Sequence, residues 1–128
     1  MVKLHQEIDS KILCDAIVEG MQENNAKDIT VLDLRKTQGS VTDFFIICSG
    51  DSSTQVEGIA DSVVRFTRKN LKEKPWHIEG KANAEWVLLD YVNVVAHVFY
   101  KDVRSFYDLE DLWADAKRTD IENLDKFQ

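Results

Sequence analysis

Two apolar runs in the second half of the chain, residues 85–90 and 93–100, are joined by a link too short for anything but a reversal of direction. Such a pair folds as an antiparallel hairpin, and its parity follows from the numbering. Whether the turn is Tyr91-Val92 or Val92-Asn93, directly opposed residues have numbers with an odd sum, so even positions of the first strand share a face with odd positions of the second. One face is then Val87 and Leu89 with Val94, Ala96 and Val98, wholly aliphatic and suited to lie under helices. The other carries Trp86, Leu88 and Asp90 with Val95, His97 and Phe99, a mixture of apolar bulk and polar groups that makes it the face for contact.

The rest of the chain supplies layers around that hairpin. Leu4, Ile8, Ile12, Ala16, Ile17 and Met21 recur at helical spacing, which predicts an amphipathic helix over about 5–25. Residues 29–34 and 43–49 are rich in Val, Ile and Phe and read as strands, the second buried on both faces. Ser52 and Thr54 each stand three positions before a Gln or Glu (Gln55, Glu57), a capping-box pattern that opens a helix over about 53–72. Val56, Ile59, Ala60, Val63 and Phe66 form its apolar side. Pro75, the only proline, closes that segment, and residues 76–79 then read as a short edge strand. A last helix is expected over about 104–117, with Phe106, Leu109, Leu112, Trp113 and Ala116 at helical spacing, followed by a polar tail, 118–128, expected to fray. With no repeat or low-complexity linker, this order predicts one α/β domain over 1–128, a five-stranded mixed sheet covered by helices.

A chain of 128 residues can bury a core without disulfides or metal. Its 23 acidic against 16 basic residues leave a net charge of −7. The excess is spread throughout: 5 basic against 8 acidic in residues 1–50, 6 against 7 in 51–100, 5 against 8 in 101–128. Nucleic-acid affinity draws on cations that neutralise phosphates, so little direct nucleic-acid binding is expected and a basic protein is the better partner. The local exception is Arg65, Arg68, Lys69, Lys72 and Lys74, with only Glu73 among them, which reads as a solvated helix face. The longest apolar run, residues 44–48, falls far short of the roughly 20 needed to span a bilayer. Glu7, Asp9, Asp15 and Glu19 interrupt any signal core, so the expected location is the cytoplasm.

Catalytic signatures are weak. Cys14 and Cys48 have no His or second Cys at ligand spacing and read as buried structural thiols, and His5, His77 and His97 are equally scattered. No metal or cofactor is expected. Ser49-Gly50-Asp51-Ser52 lies between a strand and a helix start but lacks the glycines and lysine of a P-loop. Gly39-Ser40 followed by Asp43 faintly matches nucleotidyltransferases, yet the second acid those enzymes need two residues along is replaced by Phe45.

Several motifs together resemble one family. Asp28-Ile29 with Leu32-Asp33-Leu34, Thr42 through Gly50 with Ser52, Glu79-Gly80, Trp86-Val87-Leu88-Leu89-Asp90-Tyr91, Ala96-His97-Val98-Phe99 and Arg104 through Trp113 are similar, in order and spacing, to the ribosomal silencing factor family (RsfS, also called Iojap-like). The resemblance runs from about residue 8 to 116 and implies a nucleotidyltransferase-like α/β fold without the catalytic acids. It also implies a non-enzymatic translation repressor that binds the large ribosomal subunit through its protein number fourteen and blocks joining of the small subunit when nutrients are scarce. Related proteins act in large-subunit maturation, and isolated members can form homodimers. Matching motif positions makes Glu79, Trp86, Asp90, His97, Arg104 and Tyr107 the expected contact set, with Trp86 foremost because aromatic residues dominate interface hot spots, while Arg104 and Tyr107 read equally as anchors of the last helix against the sheet.

One departure stands at the hairpin tip. The family places Gly and then Asp or Ser after the Asp-Tyr of the hairpin, where this chain has Val92 and Asn93. A β-branched residue resists positive φ, so the turn is expected to be longer or of another type. Two rival functions remain: a large-subunit assembly factor without a silencing role, and a magnesium-dependent nucleotidyltransferase working near Asp43 and Gly50.

Overall fold

The computed structural model describes residues 8–124. Helix α1 (Ser10–Glu23) is capped by Asp9, whose carboxylate accepts from the Lys11 amide at 2.7 Å. The helix therefore begins later than its apolar periodicity suggests, and residues 5–7 of the expected span lie outside the described residues. It leads into strands β1 (Lys27–Asp33) and β2 (Phe44–Gly50), then helix α2 (Ser53–Leu71). At the start of α2, Ser52 accepts from the Gln55 amide at 3.1 Å while the Gln55 side chain reaches back to the Asp51 amide at 2.6 Å. The capping box is thus the Ser52-Gln55 pair, with its return arm displaced by one residue.

Strands β3 (His77–Glu79), β4 (Trp86–Asp90) and β5 (Val94–Tyr100) follow, then short helices α3 (Lys101–Tyr107) and α4 (Leu109–Leu112) and strand β6 (Lys117–Asp120). The sheet has six strands in the order β3-β4-β5-β2-β1-β6. It is mixed: β2 and β5 run parallel and the other pairs antiparallel. The sixth strand corrects the expected count of five. Residues 117–120, expected as helix end and frayed tail, instead pair antiparallel with β1, and Asp120 accepts from the Thr30 hydroxyl at 2.8 Å. Residues 125–128 of that tail lie outside the described residues.

The expected single last helix is also corrected. Asp108 adopts φ +48, a left-handed conformation that ends α3, and its carboxylate accepts from the Asp111 amide to start α4. The break leaves only Leu109 and Ala116 of the expected apolar stripe buried, while Phe106 is 80% and Leu112 71% exposed.

The hairpin parity holds, with Trp86 opposite Phe99 and Leu88 opposite His97. Val87, Leu89, Val94, Ala96 and Val98 are buried with Phe44, Ile46 and Cys48 of β2 beneath α1 and α2. The two helices meet closely: a Cβ on Gly20 would stand 2.9 Å from the Val63 Cα. The turn is not longer than two residues, and the branched residue does take the positive φ it was expected to resist. Tyr91 and Val94 pair across Val92-Asn93, and Val92 takes φ +76 despite its branched side chain. Three bonds hold it there: the Val92 amide donates to the Asp90 carboxylate (2.7 Å), the Asn93 amide to the Tyr91 carbonyl (3.0 Å) and the Thr42 hydroxyl to the Val92 carbonyl (3.0 Å).

Candidate docking face

The second face of the sheet is built from residues one position out of phase with the helix-covered core. Leu32, Leu34, Ile47 and Phe99 form a second buried cluster with Leu109 and Ala116, with Phe45, Trp86, Val103 and Trp113 packed against it. Above it runs a continuous aromatic track. Trp113 meets Phe45 edge-on at 5.9 Å, Phe45 meets His97 at 4.6 Å, His97 lies 5.9 Å from Trp86, Trp86 4.5 Å from Tyr107, and Tyr107 meets Phe106 at 5.1 Å. Trp86 also stacks on Phe99 at 4.9 Å. Rings at these separations gain edge-to-face and offset-stacking energy beyond area burial, so each ring of the track helps to orient its neighbour.

All six expected contact residues belong to this side of the sheet. Glu79 lies opposite Leu88 in the β3–β4 pairing, on the face of Trp86 and Asp90, and Tyr107 leans on Trp86 from α3. Their surroundings differ. Trp86 is half-buried and Tyr107 exposed. Glu79 is exposed and pairs with His77 at 3.1 Å. Asp90 is engaged by the Val92 amide.

His97 lies below the surface at 3% exposure. Its Nδ1 accepts from the Trp86 indole N–H at 3.1 Å, which fixes the direction of the indole. With Nδ1 an acceptor, the neutral ring carries its proton on Nε2, which is buried without a partner. Burial lowers the pKa from 6.5 to about 3 and so keeps the ring neutral.

Arg104 ties the cover to the sheet. Its Nε and Nη2 both donate to Glu110 Oε2 (2.9 and 2.7 Å), Nη1 to the Asp28 carbonyl (2.6 Å) and the Ser49 hydroxyl (2.9 Å), and Nη2 to the Thr30 hydroxyl (3.1 Å). Every donor position of the fork is used internally. The Asp28 carbonyl is presented because Asp28 takes φ +53 where the β1–β2 register shifts.

Beside Trp113, residues Leu32, Asp108, Glu110, Asp111 and Arg118 help line a shallow cavity of about 360 Å³, so the aromatic track ends at a predominantly acidic rim. Phe45, Phe106 and Trp113 stand outside the expected contact set; the pairing of β2 beside β5, together with the break at Asp108, brings them into the track. Cys14 and Cys48 are buried, and burial raises both thiols to about 12, which keeps them protonated and unreactive. No group of three His, Cys, Asp or Glu side chains that could hold a metal gathers among the described residues.

A family model described as "Ribosomal silencing factor during starvation" matches residues 7–128. The chain belongs to the ribosomal silencing factor family. It is 37% identical over 116 residues to the ribosomal silencing factor RsfS of Bacillus subtilis (strain 168), covering 90% of this chain and 96% of that one. A crystal structure of a Chromobacterium violaceum protein superposes with a TM-score of 0.78 at 33% identity, over 84% of this chain and 88% of the other. The mouse protein named "Mitochondrial assembly of ribosomal large subunit protein 1" is 30% identical over 108 residues, which are 83% of this chain and 47% of that protein. The silencing-factor family thus combines names for silencing with a relative named for large-subunit assembly. Among the described residues no helix is long and apolar enough to cross a membrane.

Proposed function

We propose that the protein is a non-enzymatic translation repressor that docks its aromatic face on the large ribosomal subunit and prevents the small subunit from joining. The observation that carries this reading is the track from Trp113 to Phe106, which leaves bulky rings at the surface beside an acidic rim. A partly exposed aromatic cluster with charged margins is the composition of an interface centre and its rim. Such a face suits a basic ribosomal protein, and the family resemblance points to large-subunit protein number fourteen. Opposite charge acts mainly on encounter rate and choice of partner.

Within this reading Trp86 and Tyr107 touch the partner, Glu79 and Asp90 border the contact, His97 sets the angle of the indole and Arg104 holds α3 and α4 in place. Occlusion needs no chemistry: a standard interface hides about 800 Å² on each partner, within reach of one sheet face and its margin. Homodimerisation of the free protein through the same rings would compete with docking. The mouse relative's name favours a second reading, assistance in large-subunit assembly through the same surface.

The test is co-sedimentation with separated large and small subunits, followed by addition of the missing subunit. Wild-type protein should travel with the large subunit only and lower the yield of joined ribosomes. Trp86→Ala should weaken that association by about 2 kcal/mol or more while remaining folded. Equal binding by the folded fraction of the variant would remove the aromatic face from the account. Deletion cells that accumulate precursor particles during rich growth would favour the assembly reading.

A further inference from the structure

Away from the docking face, one pole of the molecule reverses the charge of the whole. Arg65, Arg68, Lys69 and Lys72 occur at helical i, i+3, i+4 and i+7 positions of α2, so their exposed side chains share one side of the helix. Lys72 caps the helix at φ +56, and Lys74 continues the run. Among the described residues none of these five is ion-paired, whereas Lys11, Arg35, Lys81, Arg104 and Arg118 each hold a carboxylate.

Beside them Trp76 is 82% exposed. Its backbone is pinned, since the Trp76 amide donates to the Asp90 carbonyl at 2.7 Å, so the indole is presented from a fixed position at the start of the edge strand. Lys72, Lys74, Pro75, Trp76 and Val92 share an open cavity of about 750 Å³, in whose lining Glu73 is the one carboxylate among the described residues.

Cations at a helix C-terminus complement the helix dipole, and that alone accounts for Arg68 and Lys69. It does not account for cations continuing past the helix end, nor for an exposed indole next to them. Basic side chains interleaved with an aromatic plane match the recognition of unpaired nucleic acid, in which phosphates meet the cations and a base stacks on the ring. An acidic protein segment would use the cations equally but would need an aromatic, arginine or proline side chain at the matching position to cover Trp76, whereas every nucleotide brings a stacking face beside its phosphate.

We propose that this pole binds an unpaired RNA segment, with phosphates on Arg68, Lys69, Lys72 and Lys74 and one base stacked on Trp76. The physiological RNA would be the ribosomal RNA bordering the protein's dock, and to that extent the inference rests on the proposed function. A net charge of −7 keeps the affinity of the isolated patch low and disfavours stray RNA. Once the aromatic face has docked, the second contact becomes intramolecular and its effective concentration high.

The experiment is fluorescence anisotropy with a labelled single-stranded RNA of about ten nucleotides at low salt. It compares the intact protein with Trp76→Ala, Lys72→Gln/Lys74→Gln and Trp86→Ala, each first shown to be folded at the temperature of the experiment. Trp76→Ala should bind about tenfold more weakly, and the double lysine variant should flatten the salt dependence by about 0.7 per removed contact. Trp86→Ala should bind RNA as wild type does. Absence of binding, or equal binding by Trp76→Ala, overturns the proposal. If polyglutamate then displaces the RNA from both proteins, the patch belongs to an acidic protein. Parallel co-sedimentation separates the two readings: RNA binding that depends on Trp76 without large-subunit binding sinks the docking account alone, and the reverse sinks this one alone.

Discussion

The two faces of the sheet are made by neighbouring residues of the same strands, yet they are finished differently. One is aliphatic, with Val87, Leu89, Ala96, Val98 and Ile46 sealed beneath helices of 14 and 19 residues that approach within a glycine's width at Gly20. The other is aromatic and covered by helices of seven and four residues, tied to the sheet by the Arg104 guanidinium and a few apolar side chains such as Leu109. Aliphatic side chains under long helices give burial and little else. Rings under a short, tethered cover give less burial but leave a surface that another protein can use. Stability and recognition are thus assigned to opposite sides of one sheet, and this division can be tested by mutation.

The largest effect should come from the sealed side. Ile46→Ala removes a fully buried side chain between α1, α2 and the sheet, and should cost about 3–4 kcal/mol in urea unfolding. Its folded fraction should still co-sediment with the large subunit unchanged. Lost affinity in that fraction would break the separation of the faces.

Arg104→Leu comes next. It leaves the Glu110 carboxylate, at 12% side-chain exposure, without its partner, together with the Ser49 hydroxyl and Asp28 carbonyl. Stranding one member of a largely buried pair should cost about 3 kcal/mol. Amide exchange should rise first over residues 101–113, ahead of α1 and α2. Arg104→Lys should recover little, because an ammonium cannot fork to four acceptors at once. Uniform loosening of both faces would mean that the cover is not the separate unit the contacts describe.

A third effect depends on pH. Folding lowers the His97 pKa to about 3, whereas the unfolded chain binds that proton near 6.5. The unfolded state therefore holds more protons between these values, and the contribution is full above 6.5 and lost as pH falls toward 3. Between pH 6.5 and 5 this amounts to about 2 kcal/mol, at about 1.4 kcal/mol per unit. Asp33 and Asp120, lowered by their hydrogen bonds to Arg35 and to Thr30 and Arg118, lose their contributions only at more acidic pH. His97→Gln, which retains an acceptor for Trp86, should flatten the upper part of the profile. An unchanged slope would remove His97 from the origin of the acid sensitivity.

Much of this division was legible in the sequence, because strand parity is independent of tertiary context: an odd sum across a tight hairpin sorts Trp86 and His97 from Val87 and Val98 under either turn. The motif positions likewise fell on one side of the sheet. What escaped was set by single backbone conformations. Asp108 in the left-handed region turns an apparently continuous apolar stripe into two short helices and exposes Phe106 and Leu112, and periodicity carries no sign of it. Strand β6 has four exposed, polar residues and no apolar pattern, so only its ladder to β1 identifies it. The anchoring role open to Arg104 has partners the sequence does not show, since its acceptors lie up to 76 positions away and include a backbone carbonyl that no motif encodes.

The smallest effect concerns a site that belongs to neither face, which makes it the control for the comparison. Val92 is held at φ +76 by bonds to Asp90, Tyr91 and Thr42, a conformation that crowds a β-branched side chain. Glycine adopts that φ without crowding but loses more entropy on folding, and the two terms oppose each other. Strain at a branched residue is the larger of them, so Val92→Gly should stabilise the protein by about 0.5–1 kcal/mol. Val92 is 55% exposed and contributes little burial to offset this gain. Large-subunit affinity should not move, because the turn reaches the aromatic track through β4, β5 and the start of β2, whose register the same bonds preserve. A change in affinity with that gain in stability would show that the angle of the hairpin, and not only its rings, shapes the docking face.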